Sequence, residues 1–62
     1  MVYKKIVALC EKKGISIARL EKEIGLGNGT VARWANSSPS VDNAKKVADF
    51  FEVTLDYLIA ND

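Results

Sequence analysis

The sequence predicts a compact, all-α bundle of five helices. Apolar residues recur three and four positions apart through most of the chain, which is the spacing of one face of a helix. A serine or threonine stands directly before several apolar segments, where a helix needs an acceptor for its first free amides. The alternation that marks a β-strand is weak even in the β-favouring stretch FFEVTLDYLI, residues 50–59.

The first two helices have clear signals at their ends. We expect the first from Val2 to Lys13, ended by Gly14 in the position just past the last turn. We expect the second from Ile17 to Ile24, with Ser16 as its N-cap and Gly25 as its stop.

The third helix is predicted from Asn28 to Ala35, anchored by Val31 and Trp34. Its start, Gly27-Asn28-Gly29-Thr30, contains the Asn-Gly pair of a hairpin turn and is rich enough in glycine for a phosphate-binding loop. The hairpin is rejected because both flanks have helical spacing, and the phosphate loop because no strand precedes it and no Lys-Ser/Thr follows. A helix that begins after Gly27 as N-cap remains.

The last two helices follow the polar loop NSSPS, residues 36–40. The fourth is predicted from Val41 to Phe51 with Ser40 as its N-cap, and the fifth from Leu55 to Ala60 with Thr54 as its N-cap.

Length and composition limit the functions that the chain can have. A chain of 62 residues, 48% apolar and 27% charged, is expected to form one domain, residues 1–62. One cysteine allows no internal disulfide, and the lack of histidine removes the commonest general acid/base and argues against a zinc site. No apolar run approaches a membrane span and no signal peptide is evident. We therefore expect a cytoplasmic protein without enzyme activity, cofactor or metal.

The charge is distributed unevenly although its sum is only +1. Residues 1–41 carry seven Lys/Arg and three Asp/Glu, whereas residues 42–62 carry two Lys and five acids. From Ile24 to Val41 there is no acidic residue, and Arg33 is the only charge. This asymmetry suggests a face that meets an anion, although a short stretch without acids also arises by chance.

The second and third helices are joined by only Gly25, Leu26 and Gly27. Two short helices joined by a turn of three or four residues that contains glycine are the helix-turn-helix pattern, here at about residues 17–36. The second helix of that pattern reads the DNA major groove. Val31 and Trp34 would hold it from beneath, which leaves its polar residues for the outer side.

At this point the chain resembles the λ-repressor/Cro-type (XRE-like) helix-turn-helix domains of phage and bacterial regulators. The resemblance covers roughly residues 4–60. It is carried by a Gly-Leu-x-x-x-Thr-Val-x-Arg-Trp run from Gly25 to Trp34 and by the ending F-x-V-x-L-D-Y-L from Phe51 to Leu58.

The resemblance implies two groups of DNA contacts. The predicted base contacts lie on the third helix: Asn28, Gly29, Thr30 and Arg33. Asparagine pairs with adenine and arginine with guanine, and a threonine methyl contacts thymine. The predicted phosphate contacts come from the N-terminus of the second helix, from the loop after the third, and from one lysine: Ile17, Asn36, Ser37, Ser38 and Lys13.

The chain departs from the family pattern at three places. Ile17 stands where relatives have a phosphate-binding Gln, so that only the helix N-terminus remains for this contact. Glu21 stands where relatives have a small Ala, and we expect it to point outward or to pair with a cation such as Arg33. Cys10 and Ala35 replace an Arg–Glu ion pair together, which predicts that Cys10 is a packing residue.

Several residues admit a second interpretation. Trp34 is expected in the core rather than as a base-stacking platform, and Cys10 as packing rather than as a redox sensor. The lysines of the first helix form a solvated face or contact phosphate. The first helix is also apolar nearly all round, and this surplus either covers the fifth helix or contacts a second copy.

The sequence thus predicts a sequence-specific double-stranded DNA-binding domain of a bacterial or phage transcriptional regulator, near the nucleoid. Few side chains can read bases, so we expect a homodimer on a near-palindromic operator. The alternative is a helical protein-interaction module of the same fold, such as an antitoxin or adaptor, with weak or no DNA binding. Its support is the low net charge, Ile17 and the apolar first helix.

Overall fold

The computed structural model describes residues 2–60, which contain four α-helices and one short 3₁₀-helix and no strand. They are α1 (Val2–Lys13), α2 (Ile17–Ile24), the 3₁₀-helix (Ala32–Ala35), α3 (Val41–Phe51) and α4 (Leu55–Ile59). Met1, Asn61 and Asp62, which the predicted domain includes, lie outside the described residues.

The all-α prediction is confirmed, but the count of five α-helices is not. α1, α2 and α3 have the predicted bounds, and α4 ends at Ile59, one residue before the predicted end at Ala60. The third predicted helix is wrong as an α-helix, because residues 28–31 form turns and only Ala32–Ala35 is helical, with 3₁₀ geometry.

Three of the four predicted N-caps, those of α2, α3 and α4, are present with their hydrogen bonds, whereas Gly27 caps no helix. The hydroxyl of Ser16 accepts the Arg19 N–H at 3.0 Å, that of Ser40 the Asn43 N–H at 3.2 Å, and that of Thr54 the Tyr57 N–H at 3.0 Å. Each bond satisfies one of the free amides at the start of a helix. The ends of these helices are therefore set by local sequence.

One cluster of buried side chains joins the elements. α1 packs against α2, α4 and the 3₁₀-helix, while α3 packs against α2 and α4. The contact of α1 with α4 agrees with one of the two interpretations of the apolar surface of α1. The fully buried centre contains a side chain from almost every element: Ile6, Leu20, Val31, Val47 and Leu58.

Cys10 and Trp34 both belong to this core, with 2% and 5% of their surfaces exposed. The packing interpretation of both residues is confirmed. Burial raises the pKa of the Cys10 thiol, which disfavours the reactive thiolate that a redox sensor needs.

Lys5 fixes the end of α4 to α1. Its ammonium donates to the carbonyls of Tyr57 at 3.0 Å and Ala60 at 3.3 Å, and lies 4.7 Å from the centre of the Tyr57 ring. A cation at these carbonyls complements the negative end of the helix dipole. This lysine is therefore a structural contact rather than part of a solvated face.

Among residues 2–60 the longest helix is α1 with 12 residues, and none has the length and apolar character of a membrane span.

Glu52 is the one non-glycine residue of the described chain with a positive φ, 58°. It ends α3 in the left-handed conformation that glycine adopts without steric cost. We expect Glu52→Gly to raise the free energy of unfolding by about 1 kcal/mol, because it removes this strain. Thermal unfolding followed by circular dichroism would then show a melting temperature about 4–8 °C higher.

Glu11→Gly is the matched control, since Glu11 is also exposed but has the right-handed backbone of α1. It should lower the free energy of unfolding by about 1 kcal/mol. A loss of stability in both variants would contradict the strain assigned to Glu52.

Candidate nucleic-acid interface

The stretch from Gly27 to Thr30 forms a β-turn. The Thr30 N–H donates to the Gly27 carbonyl at 3.1 Å, and Gly29 has a φ of +84°. Asn28, at the preceding position, keeps a negative φ, and this order of signs is that of a type II turn. The prediction of a helix that opens after Gly27 is therefore wrong, because the backbone of Gly29 cannot continue into a right-handed helix. The pair Asn28-Gly29 does make a turn, although not a hairpin.

Helical geometry begins after this turn and gives the recognition segment, residues 28–35, a defined inner side. Val31 has φ −68° and ψ −37°, and the Trp34 N–H donates to its carbonyl at 2.9 Å. The side chains of both residues are buried, with 0% and 5% of their surfaces exposed. The prediction that they anchor the segment from beneath is confirmed.

The carboxylate of Glu21 holds the recognition segment from α2. One oxygen accepts the Gly29 N–H at 3.1 Å and the other accepts the Val31 N–H at 2.8 Å. Only 4% of the surface of Glu21 is exposed, and it is the one buried charged residue of the described chain. A buried carboxylate is tolerated when N–H donors replace its hydration, and bonds to a charged acceptor are stronger than neutral ones.

This geometry corrects the expectation for Glu21. The side chain does not point outward, and within residues 2–60 no ion pair joins it to Arg33 or to a lysine. Its partners are backbone amides of the chain immediately after the helix-turn-helix corner. The two amides replace the water that would otherwise hydrate this carboxylate.

The predicted base-contacting residues lie together on the recognition segment. Asn28 and Arg33 are exposed, whereas Gly29 and Thr30 are half-buried. Within residues 2–60 the Arg33 guanidinium has neither a hydrogen bond nor an ion pair, so that its five donors face solvent. The outer side of the segment therefore presents one amide, one guanidinium and no acidic side chain.

The loop after the segment offers fewer donors than predicted. The N–H groups of Asn36 and Ser37 both donate to the Arg33 carbonyl at 3.1 Å, as does the Ser37 hydroxyl. These groups end the 3₁₀-helix rather than facing solvent. Of the three predicted phosphate contacts in this loop, the side-chain amide of Asn36 and the hydroxyl of Ser38 stay available.

The start of α2 lies beside Lys13 in the chain. The hydroxyl of Ser16 accepts a hydrogen bond from the Arg19 N–H, while the first amides of the helix, at Ile17 and Ala18, have no acceptor within the helix. Ile17 is half-buried and packs against the core, so its side chain supplies no donor. The ammonium of Lys13 lies 5.2 Å from the centre of the Phe50 ring on an exposed surface.

A groove of about 330 Å³ lies between α2 and the recognition segment. Lys22 lines this groove and was not among the site residues predicted from the sequence. The lining residues of the groove are Ala18, Glu21, Lys22, Leu26 and Asn28. The available signal was helical spacing, since Lys22 follows the exposed Ala18 by four positions and so lies on the same face of α2. Lys22 therefore places a second cation near Asn28.

The geometry agrees with a comparison of the chain with known families. The model of a helix-turn-helix family, that of the λ-repressor-like domains, matches residues 6–58. The chain belongs to this helix-turn-helix family. The family indicates a DNA-binding regulator, with DNA as the partner. No curated protein and no solved structure gave a match in the corresponding comparisons.

Gly29→Ala tests the turn in this helix-turn-helix protein. A Cβ at Gly29 meets no atom within 4 Å, so that the cost of the substitution is the backbone strain at φ +84° alone. We expect the free energy of unfolding, measured by urea titration, to fall by about 1–2 kcal/mol.

Gly27→Ala is the control in the same turn. Its Cβ would lie 3.3 Å from the Thr30 hydroxyl, which can rotate away, and its φ is not in the left-handed region. It should change stability by less than about 0.5 kcal/mol. Equal losses in the two variants would argue against the positive φ of Gly29.

Proposed function

We propose that this protein is a transcriptional regulator of bacterial or phage type that binds double-stranded DNA sequence-specifically. The recognition segment enters the major groove, Asn28 and Arg33 contact base edges, and Thr30 and the backbone of Gly29 lie close to them. The start of α2, Lys13, Asn36 and Ser38 contact phosphates. The protein makes and breaks no covalent bond.

The observation that carries this proposal is the outer side of the recognition segment. Val31 and Trp34 fix its inner side in the core, and the Glu21 carboxylate fixes its backbone. The exposed side then presents Asn28 and Arg33 in a stretch, residues 24–41, that contains no acidic residue. A rigid element with an amide and a guanidinium turned outward suits the acceptor-rich edges of adenine and guanine.

Two copies on a near-palindromic operator follow from the small size of this reading surface. We propose a homodimer on DNA with half-sites about one helical turn apart. Repression is the expected mode of regulation, because a bound pair excludes other proteins from the DNA that it covers.

Selection of bound sequences from a random duplex library tests the proposal most directly. We expect enrichment of a two-fold symmetric motif with half-sites centred about 10 base pairs apart. The affinity for the selected duplex should fall steeply as salt rises from about 50 to 200 mM, because counterions are released on binding. Enrichment of an asymmetric motif would contradict the paired binding, and no enrichment would contradict specific recognition.

Arg33→Ala separates base reading from phosphate contact. If Arg33 reads a guanine, specific binding should weaken by about 1–3 kcal/mol and the preference at one position should relax. If it contacts phosphate instead, binding to all duplexes should weaken alike and the salt slope should decrease by about 1. The measurement is fluorescence anisotropy on the selected duplex and on single-base variants of it.

Lys46→Ala is the matched control for Arg33→Ala. It removes one positive charge from an exposed position on α3, outside the recognition segment. Affinity and base preference should stay close to those of the parent protein. An equal loss in both variants would show that net charge, rather than the position of Arg33, decides binding.

A helical protein-interaction module is the second candidate function. It is favoured by the loop amides of Asn36 and Ser37, which are bonded to the Arg33 carbonyl and so cannot hold a phosphate, and by the side chain of Ile17. The absence of binding to any duplex at about 50 mM salt, where non-specific electrostatic binding is strong, would favour this candidate.

A further inference from the structure

We propose that Glu21 is a positioning residue for base recognition. It sets the geometry of the turn at residues 27–30 without contacting DNA itself. The proposal rests on the proposed function, because it concerns the specificity of the same interface. It predicts that Glu21 contributes to discrimination between DNA sequences and not to the general affinity for DNA.

The carboxylate is bonded to two backbone amides that follow the exposed Asn28. Gly29 directly follows Asn28, and Val31 begins the helical part of the segment. The two bonds, 3.1 and 2.8 Å long, therefore fix the backbone that carries Asn28 relative to α2. Within the turn itself, one bond, from the Thr30 N–H to the Gly27 carbonyl, holds the loop closed.

The chemistry of the contact requires a carboxylate. Each of its two oxygens accepts one N–H, and a carboxylate consists of acceptors only. A glutamine of the same size has one acceptor and one NH₂ group, which would face an N–H donor. A shorter aspartate keeps the charge but cannot reach both amides. The two substitutions therefore separate the geometry of the contact from its charge.

The location of Glu21 predicts different effects on binding to the operator and on binding to random duplex. The residue is 4% exposed beneath the reading surface, so that it is covered by the turn and does not contact DNA. Its negative charge opposes the approach of phosphates, whereas its hydrogen bonds orient Asn28. Loss of the contact therefore weakens binding to the operator, while binding to random duplex is unchanged or becomes tighter.

The experiment measures dissociation constants for the selected operator and for a random duplex of equal length. For Glu21→Gln and Glu21→Asp we expect operator binding to weaken about tenfold, because a turn that is in the binding-competent geometry only about a tenth of the time has an apparent dissociation constant about ten times larger. Random-duplex binding should stay the same in Glu21→Asp and stay the same or tighten in Glu21→Gln. Equal weakening on both duplexes in both variants, which a merely structural role would produce, overturns the proposal.

Glu23→Gln is the control on the same helix. Glu23 is exposed and pairs with Arg19 at 2.7 Å, so the substitution makes the same change of charge without reaching the turn. The ratio of operator to random-duplex affinity should not change. If Glu23→Gln lowers this ratio as much as Glu21→Gln does, charge on α2 rather than the contact is responsible.

Amide hydrogen exchange without DNA separates this inference from the proposed function. The Gly29 and Val31 amides should exchange slowly in the parent protein and faster in both Glu21 variants, while the fluorescence of the buried Trp34 shows that the fold persists. If the parent protein binds no duplex, the proposed function fails and the inference with it, although the exchange data still report the contact. If the parent protein discriminates between duplexes and the Glu21 variants do so equally well, only the inference fails.

Discussion

The candidate interface depends on two hydrogen bonds, which the Glu21 carboxylate accepts from the backbone amides of Gly29 and Val31. The 3₁₀-helix of the recognition segment has four residues, and a helix that short does not persist by itself in water. Its fixed position comes from Val31 and Trp34 in the core and from the carboxylate beneath the turn. Since burial of an unsolvated carboxylate costs several kcal/mol, the turn and Glu21 require each other.

The position of the Glu21 side chain is fixed by α2. Ser16 caps the first turn of the helix, Leu20 is fully buried, and Gly25 ends it in the left-handed conformation with φ 77°. The side chain of Glu21 follows Leu20 directly and so leaves the helix next to the core. A displacement of α2 would therefore move the turn at residues 27–30 with it, so we expect the two parts of the helix-turn-helix to move together.

The sequence predicted the helices whose ends depend on neighbouring residues and failed where tertiary contacts decide. Cap residues act within one turn, and the bounds of α1, α2 and α3 were found from them. Val31 and Trp34 are three positions apart, a spacing that suits an α-helix and a 3₁₀-helix equally, so it could not reveal the turn. The role of Glu21 was also hidden, because backbone amides carry no sequence signal and the carboxylate reaches them only in the folded chain.

The hydrogen bonds of the turn and loop amides bear on the proposed DNA recognition. Amides of the turn and of the loop are bonded to Glu21 and to the Arg33 carbonyl, and the net charge is only +1. Non-specific attraction to DNA is therefore expected to be weaker than for a strongly basic domain, and in the proposed function discrimination between sequences depends on Asn28 and Arg33. Two good base contacts supply about 2–6 kcal/mol, and specific binding usually exceeds non-specific binding by about 4–10 kcal/mol. A second copy would double the contribution of the base contacts, which is the physical reason for proposing a symmetric operator.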